Sequence, residues 1–476
     1  MGLKKNIAYN TILSISGYFC SLITYPYISR VLGVNGIGIC DFIDGIINYF
    51  ILFSMMGISA CGIREIASNR KNAKELSKIF SSIITFNALT TVIAILLLIG
   101  AMYSIDELFQ YRTLLYVGVC KLCINIFIIE WFYAGMENFA YITKRNFLIK
   151  ILYIICVFVF IKNENDYTKY YILTVSLVAF NALINIIYSR KFVHYSLKNI
   201  SFQPYLYTIF SIGLYKIITS LYTTLNIIWL GFICNVQEVG FYTASTRLFT
   251  IIIAVFTAFT NVMFPRLSLL FSHGLSVEFW EKIDLSIESL MAFSFPTICI
   301  AIALGPILLH CLLSDGFEGS FIPFQIIATL IFIIGFEQIL VMQILLPMKY
   351  DKVVLKNSII GAAIALLLNF GIVHQLGAIG TAIVWICSET CVFICSLRFI
   401  TKHTEYKFPK EHLFRYTIAY IPLLLFLILL KRFTSLGDFM LLFFGTVITL
   451  LYTLFIQIKY LRYPIALQVF KKITRK

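Results

Sequence analysis

The sequence predicts an all-α polytopic membrane protein with about 14 transmembrane helices, and its composition and apolar patterning carry that prediction. Of the 476 residues, 60% are apolar and only 13% are charged, with a mean hydropathy of +0.90. A soluble domain is about half apolar and about a quarter charged, so this composition excludes a water-soluble enzyme. Apolar runs long enough to cross a hydrocarbon core of ~30 Å recur along the whole chain.

Polar segments divide these runs into the predicted helices. They lie near residues 9–29, 38–62, 79–103, 111–134, 146–161, 169–189, 206–233, 240–264, 285–311, 322–346, 355–373, 379–400, 413–430 and 439–458. Two lysines before the first run are typical of a signal peptide, but this run is long and contains Pro26 and Arg30. We therefore expect a retained first span.

The basic residues alternate between loops and predict the orientation. With the N-terminus inside, 29 of the 38 lysines and arginines fall in cytoplasmic segments, six in outer segments and the rest within spans. This asymmetry follows the positive-inside rule and predicts cytoplasmic N- and C-termini. It also accounts for the net charge of +15 without a nucleic-acid partner.

Glycines and charged residues recur in the two halves of the chain and indicate an internal repeat. Leu32-Gly33, Gly38 and Arg64 correspond in order to Leu230-Gly231, Gly240 and Arg266, and Lys144-Arg145-Asn146 corresponds to Leu355-Lys356-Asn357. The repeat predicts six-helix bundles at 1–200 and 201–405, followed by two extra helices and a basic cytoplasmic tail at 406–476. Repeats with an even number of spans are parallel and would enclose a central cavity.

Cofactor and metal chemistry leaves no signature in this sequence. Most of the twelve cysteines lie within predicted spans, and the Cys120-x-x-Cys123 pair sits in an apolar helix without a second pair. Such cysteines are better interpreted as small packing residues than as metal ligands. No phosphate-binding glycine motif that would indicate direct ATP use is found, so we expect neither metal, cofactor nor catalytic residues.

Five charged residues fall deep inside predicted spans and are the first candidates for a site. They are Lys121, Lys216, Arg247, Glu337 and Glu389. Each would cost ~2.5–3.5 kcal/mol if it faced lipid, so they are expected to face the protein interior or a wet cavity. The three cations either bind a ligand phosphate or pair with the two glutamates.

Carboxylates provide candidates for ion coupling. Glu337 and Glu389 lie near the middle of their spans and are candidates for proton exchange. Asp41 and Asp44 share a helix face at the outer end of the second span, where they would bind protons or Na⁺, or simply mark a hydrated helix end.

Several short motifs, in order, resemble those of bacterial polysaccharide repeat-unit flippases of the Wzx type, which serve O-antigen and capsule synthesis. The motifs are Pro26 to Gly33 with Arg30, Gly38, Gly62-Ile63-Arg64-Glu65, Trp131 to Glu137 with Gly135, Val239-Gly240-Phe241-Tyr242, Pro347 and Gly377-Ala378-Ile379-Gly380. The superfamily of these flippases also contains multidrug-extruding MATE proteins and lipid II flippases. The resemblance covers about residues 5–400.

This resemblance implies export of an undecaprenyl-pyrophosphate-linked oligosaccharide across the bacterial inner membrane by alternating access. It also implies contact with membrane lipids, a polysaccharide polymerase and a chain-length regulator, and structural roles for the motif residues. Many relatives carry an aspartate where this chain has Asn226, so an acid role is not transferred there. The alternatives are a MATE-like ion-coupled drug exporter and a membrane polymerase or acyltransferase; the short outer loops, which carry no acid–histidine cluster, disfavour the enzymes.

Overall fold

The computed structural model describes residues 3–198, 200–272, 277–313, 315–434, 436–464 and 466–467, with side chains from Ser16 onward. All regular structure in these residues is helical. The helices are α1 (Leu3–Met55), α2 (Ile58–Asn69), α3 (Ala73–Ser104), α4 (Asp106–Phe109), α5 (Arg112–Asn125), α6 (Glu130–Gly135), α7 (Phe139–Phe160), α8 (Tyr167–Ser189), α9 (Gln203–Ser220), α10 (Thr224–Ile233), α11 (Val236–Ser272), α12 (Val277–Leu312), α13 (Phe321–Ala328), α14 (Leu330–Gln338), α15 (Asp351–Leu368), α16 (His374–His403), α17 (Lys410–Phe433) and α18 (Asp438–Lys459). Two π-helical segments, Ile339–Leu345 and Asn369–Val373, continue α14 and α15.

The predicted fold class is confirmed, because the described residues contain ten helical segments long and apolar enough to cross a membrane. An eleventh is added if α9 and α10, bent by 45°, form one span. α7 carries three basic residues near its start, Lys144, Arg145 and Lys150, and is not among these segments. The number 14 remains a prediction.

α1 is too long for one crossing, and the chain reverses within it at Gly33. Residues 16–27 run beside 150–161 on α7 in the same direction, as Lys150–Ser16 and Tyr27–Ile161 hydrogen bonds show. Residues 36–44 run beside 167–171 on α8 in the same direction. Since α7 and α8 are antiparallel, the two parts of α1 are antiparallel as well. Gly33 permits this turn because its φ is +64°, where side chains are disfavoured.

Gly377, near the start of α16, makes the equivalent reversal between α15 and the rest of α16. Its φ is +52°. Before it, Asn357 donates a hydrogen bond of 2.9 Å to Ser396 on α16, and the Tyr350 and Phe399 rings lie 5.1 Å apart. The residue nearer to the glycine on α15, Asn357, contacts the nearer one on α16, Ser396, and the more distant Tyr350 contacts the more distant Phe399. The two helices are therefore antiparallel.

Four predicted spans differ from the observed helices, one of them being 111–134, which is divided between α5 and α6. Span 38–62 ends at Met55, where Met56 has a φ of +39° and Gly57 donates its N–H to the Ile209 carbonyl. Span 206–233 is broken between α9 and α10. Span 146–161 begins earlier, at Phe139, because Arg145 is buried and paired instead of lying in water.

The chain forms two compact units, Met1–Gly240 and Phe241–Lys476. The first unit contains α9 and α10, beyond the predicted boundary at residue 200. The reason is that α9 packs on α1 and α2, and α10 packs on α1. In the second unit α12 contacts α13, α14, α17 and α18. Gln457 on α18 donates to the Ala292 carbonyl, so the last two helices are docked on α12. The division into two repeats is not tested by these units and remains a prediction.

Thiol labelling tests the predicted orientation. In a cysteine-free background, a cysteine replacing Asn163, in the connection between α7 and α8, is expected to react with an impermeant reagent in intact cells. A cysteine replacing Ser272, at the end of α11, is expected to react only after the membrane is permeabilised. Both positions are exposed, so a difference in labelling reports on the side of the membrane. The reverse pattern would show that the orientation is inverted.

Candidate functional site

Two glycines bring the second part of α1 into backbone contact with the start of α11. A Cβ atom on Gly38 would lie 1.8 Å from the Val236 carbonyl oxygen, and one on Gly240 would lie 2.5 Å from the Val34 carbonyl oxygen. The two contacts are reciprocal, because Val34 and Gly38 are each 202 residues before Val236 and Gly240. This contact between α1 and the start of α11 is hereafter called the glycine crossing. All four residues belong to the first unit.

Lys121 on α5 is bound to the second part of α1. Its ammonium lies 2.6 Å from the Asp44 carboxylate and 3.0 Å from the Asn48 amide oxygen, and Asn48 also donates to Asp44. The Lys121 side chain is 15% exposed and that of Asp44 is 35% exposed. The charges therefore neutralise each other within the first unit, and the predicted alternative that Lys121 pairs with Glu337 or Glu389 is not what the structure shows. Asp41, one turn earlier, is partly buried.

Lys216 lies on α9, about 20 Å from the start of that helix, and is partly buried. No ion pair in the described part of the chain includes it. Two turns earlier on α9, Thr208 accepts a hydrogen bond of 3.0 Å from Arg64 on α2, whose side chain is 60% exposed. Among the described residues, Lys216 is thus a partly buried cation that forms no ion pair, as a site for an anionic ligand requires.

The break between α9 and α10 follows Lys216 by one turn. Asn226 is fully buried there and donates a hydrogen bond of 3.0 Å to the Tyr222 carbonyl, which precedes the start of α10. The side chain thereby satisfies a backbone acceptor at the bend. A neutral amide can donate in this way, whereas an ionised aspartate cannot.

Glu337 on α14 and Glu389 on α16 meet inside the second unit. Trp385 donates its indole N–H to Glu389 over 3.0 Å, and Glu389 interacts electrostatically with Glu337. Glu389 is 7% exposed.

Polar groups of α11 continue this site. Gln338, next to Glu337, donates to Thr257 and accepts from Thr260 at 3.0 and 3.1 Å. About three turns before Thr257 on the same helix, Arg247 is partly buried. Two residues after Arg247, the Phe249 ring packs edge-on against Trp385. α11 therefore carries both the predicted Arg247 and two hydroxyl groups beside the carboxyl pair.

The remaining motif residues have packing roles. Gly62 on α2 and Gly135 on α6 admit Trp131 and Ile66, since a Cβ on either glycine would approach its neighbour to 2.3 and 2.7 Å. Pro26 lies within α1, Arg30 is exposed near its reversal, and Pro347 is buried in the turn that follows the first π-helical segment. The structural roles expected for Pro26, Arg30 and Pro347 remain predictions.

Sequence reasoning missed a buried polar cluster around Arg145 on α7. Arg145 is 4% exposed and hydrogen-bonds to Glu130, Asn146 and Asn185. Nearby on the same helix, Lys150 donates to Ser16 over 2.9 Å. The correspondence of Lys144-Arg145-Asn146 with a segment in the second half was the available signal, but the basic residues were assigned to a cytoplasmic loop.

The described part of the chain has the all-helical fold of a membrane protein, with charged groups buried among its apolar helices, and the comparisons with known proteins assign it to a family. The model of the family described as "Polysaccharide biosynthesis protein" matches residues 3–271. The chain belongs to this family. The relatives described next are named as transporters.

Two similar proteins, from Escherichia coli (strain K12) and Shigella dysenteriae, both carry the name "Putative O-antigen transporter". The first is 25% identical over 407 residues, covering 84% of this chain and 97% of the relative. The second is 24% identical over 406 residues, covering 83% and 99%.

Solved structures show the same fold. The inward closed conformation of the lipid II flippase MurJ superimposes with a TM-score of 0.76 at 16% identity, covering 99% of this chain and 100% of MurJ. The inward-facing conformation of a multidrug resistance MATE family transporter of the MOP superfamily gives a TM-score of 0.59 at 11% identity, covering 81% and 97%.

Proposed function

We propose that the protein is a flippase that moves an undecaprenyl-pyrophosphate-linked oligosaccharide from the cytoplasmic to the periplasmic leaflet of the bacterial inner membrane. The observation that carries this proposal is the partly buried Lys216, which has no ion-pair partner in the described part of the chain. A pyrophosphate needs counter-charge to pass an apolar region, and a fixed ammonium supplies it together with charge-assisted hydrogen bonds. Membership of the polysaccharide biosynthesis family and the names of the relatives support the substrate class.

Arg247 and Lys121 would complete this cationic path. The guanidinium of Arg247 can hold a phosphate with two parallel hydrogen bonds. Lys121 is neutralised by Asp44, so its contribution depends on exchanging that carboxylate for the substrate. We therefore rank Lys216 and Arg247 above Lys121 as substrate contacts.

Alternating access would use the glycine crossing. In the predicted orientation it lies at the outer ends of the helices, where backbone contact would close the path to the periplasm. An outward-open state would need α1 and α11 to separate at Gly38 and Gly240. Glycine permits close backbone contact in the state that is closed to the periplasm. In the outward-open state, Gly38 and Gly240 would expose no side chains of their own.

The MATE-like drug exporter is the second candidate, because a MATE transporter shares the fold. Liposomes containing the reconstituted protein distinguish the two. A flippase is expected to expose a fluorescent undecaprenyl-pyrophosphate-linked sugar to an impermeant quencher faster than protein-free liposomes, and the Lys216→Ala variant is expected to be slow. Transport of a cationic dye without lipid movement would establish the exporter instead. Association with a polymerase and a chain-length regulator is part of this proposal and is testable by co-purification.

Coupling to protons is expected to depend on the Glu337–Glu389 pair. In liposomes, an imposed pH gradient should accelerate flipping by the parent protein, and the Glu337→Gln/Glu389→Gln double variant should lose this acceleration. The amides keep the shape of the site but cannot exchange a proton. Glu318→Gln, a change at an exposed residue in the short 3-10 helix before α13, serves as the matched control. A double variant that still responds fully to the gradient would exclude coupling through this pair, and an uncoupled flippase driven by consumption of its product would then be favoured.

A further inference from the structure

The polar cluster around Arg145 lies in the first unit. The proposed function described above gives this cluster no role. Its centre is one carboxylate oxygen of Glu130, which accepts from Arg145 Nη2 and, over 3.2 Å, from the Asn146 amide. The same Nη2 also donates to the Asn146 amide oxygen over 2.8 Å. A guanidinium and an amide therefore converge on a single anionic oxygen.

Two further donors belong to the same cluster. Asn185 is fully buried, accepts from Arg145 through its amide oxygen, and its amide nitrogen has no hydrogen-bond partner. The ammonium of Lys150, one and a half turns from Arg145 on α7, interacts electrostatically with Glu130. The donor set exceeds what one carboxylate satisfies, because a buried N–H group is left unpaired.

Glu130 and Arg145 differ in exposure. The Arg145 side chain is 2% exposed, whereas that of Glu130 is 42% exposed. Apolar packing of the same volume is often as stable as a buried ion pair, so the pair by itself is weak grounds for a stabilising role. The Glu130 carboxylate can therefore rotate towards solvent, whereas the Arg145 guanidinium stays buried. If the carboxylate rotated away, the buried guanidinium would need another anion.

We propose that this cluster is a phosphate site that receives the pyrophosphate of the lipid-linked substrate on the cytoplasmic side, with Glu130 occupying the phosphate position until the substrate arrives. The inference rests on the proposed function for the identity of the anion. Arg145 is six residues from the start of α7, about 9 Å, and Lys150 is about 8 Å further along the helix. In the predicted orientation the two cations lie in sequence from the headgroup region inwards.

Binding of farnesyl pyrophosphate to the purified protein in detergent tests the proposal. Glu130→Gln removes the competing anion while keeping a side chain of the same size, so it is expected to tighten binding about tenfold. Adding Arg145→Gln to this variant should abolish that gain. Glu137→Gln is the matched control, because Glu137 is also a glutamate near α6, is exposed, and pairs with Arg70 outside the cluster. Farnesol should not bind more tightly to any of these variants.

A purely structural role gives the opposite result. If Arg145 and Glu130 only join helices, Glu130→Gln should lower the melting temperature and leave the affinity for farnesyl pyrophosphate at the parent value, and the proposal is then wrong. This failure is separable from failure of the proposed function. Lipid flipping by the parent protein with unchanged affinity in Glu130→Gln would overturn the phosphate site alone, whereas absence of lipid flipping by the parent would overturn the flippase.

Discussion

Gly38→Ala is expected to abolish surface polysaccharide in cells that depend on this protein, while the variant accumulates to normal levels. The added Cβ would lie 1.8 Å from the Val236 carbonyl oxygen, so α1 and α11 must separate by more than 1 Å to accept it. Alanine is the better helix former by about 1 kcal/mol, so loss of helix is not the cause. Overpacking of this kind costs about 1–3 kcal/mol, enough to shift a two-state equilibrium away from the closed crossing by about 5- to 150-fold.

The matched control is Gly100→Ala on α3, since nothing lies within 4 Å of a Cβ atom there. A single cysteine at Val34, which is 9% exposed, reports on the crossing. Its labelling by an impermeant thiol reagent should be faster in the Gly38→Ala background than in the parent. Normal polysaccharide together with unchanged labelling would show that the glycine crossing is a rigid contact and not a gate.

Lys216→Ala is expected to reduce surface polysaccharide at least tenfold, and Lys216→Arg to restore most of it, because a positive charge at this depth is the required property. Arg247→Ala should have a comparable effect. The tenfold figure corresponds to loss of about one charge-assisted hydrogen bond, ~1.5–3 kcal/mol. The measurement is polysaccharide on the cell surface, with protein level and melting temperature recorded for each variant.

Two comparisons separate substrate binding from structure. Lys169→Ala removes a lysine whose side chain is 68% exposed and should have no effect. Lys121→Met/Asp44→Asn removes both members of the neutral pair on α5 and α1. If the double variant is active while Lys121→Met alone is not, Lys121 serves to neutralise Asp44. Full display of polysaccharide by a Lys121→Ala/Lys216→Ala/Arg247→Ala variant would show that the headgroup crosses elsewhere.

Features set by local sequence were predictable. The predicted span 79–103 lies within α3, and 285–311 lies within α12, because polar residues bound both apolar runs. Gly33 and Gly377 were identified as motif residues, and their positive φ angles give the physical reason for glycine at each position. The sequence also indicated that Gly38 and Gly240 are corresponding positions of the internal repeat. That correspondence does not reveal that the two glycines are in contact.

Features set by long-range contacts were not predictable from one sequence. The partner of Lys121 is Asp44, 77 residues away, and only packing of α5 on α1 brings them together. The break at Met56 depends on the Ile209 carbonyl, which accepts from Gly57. Arg145 was assigned to a loop because its charge favours water, but Glu130 and two amides replace water in the folded protein.

Reversal of the chain at a single glycine has a consequence for membrane insertion. At Gly33 and at Gly377 no polar loop separates the two antiparallel helices, so each pair has no hydrophilic segment to be translocated separately. Each pair would then enter the bilayer as one hairpin, in which the second helix follows the first without an intermediate of opposite topology. An epitope tag inserted at either glycine would have to break that hairpin, whereas the exposed connection at residues 162–165 offers a permissive position for such a tag.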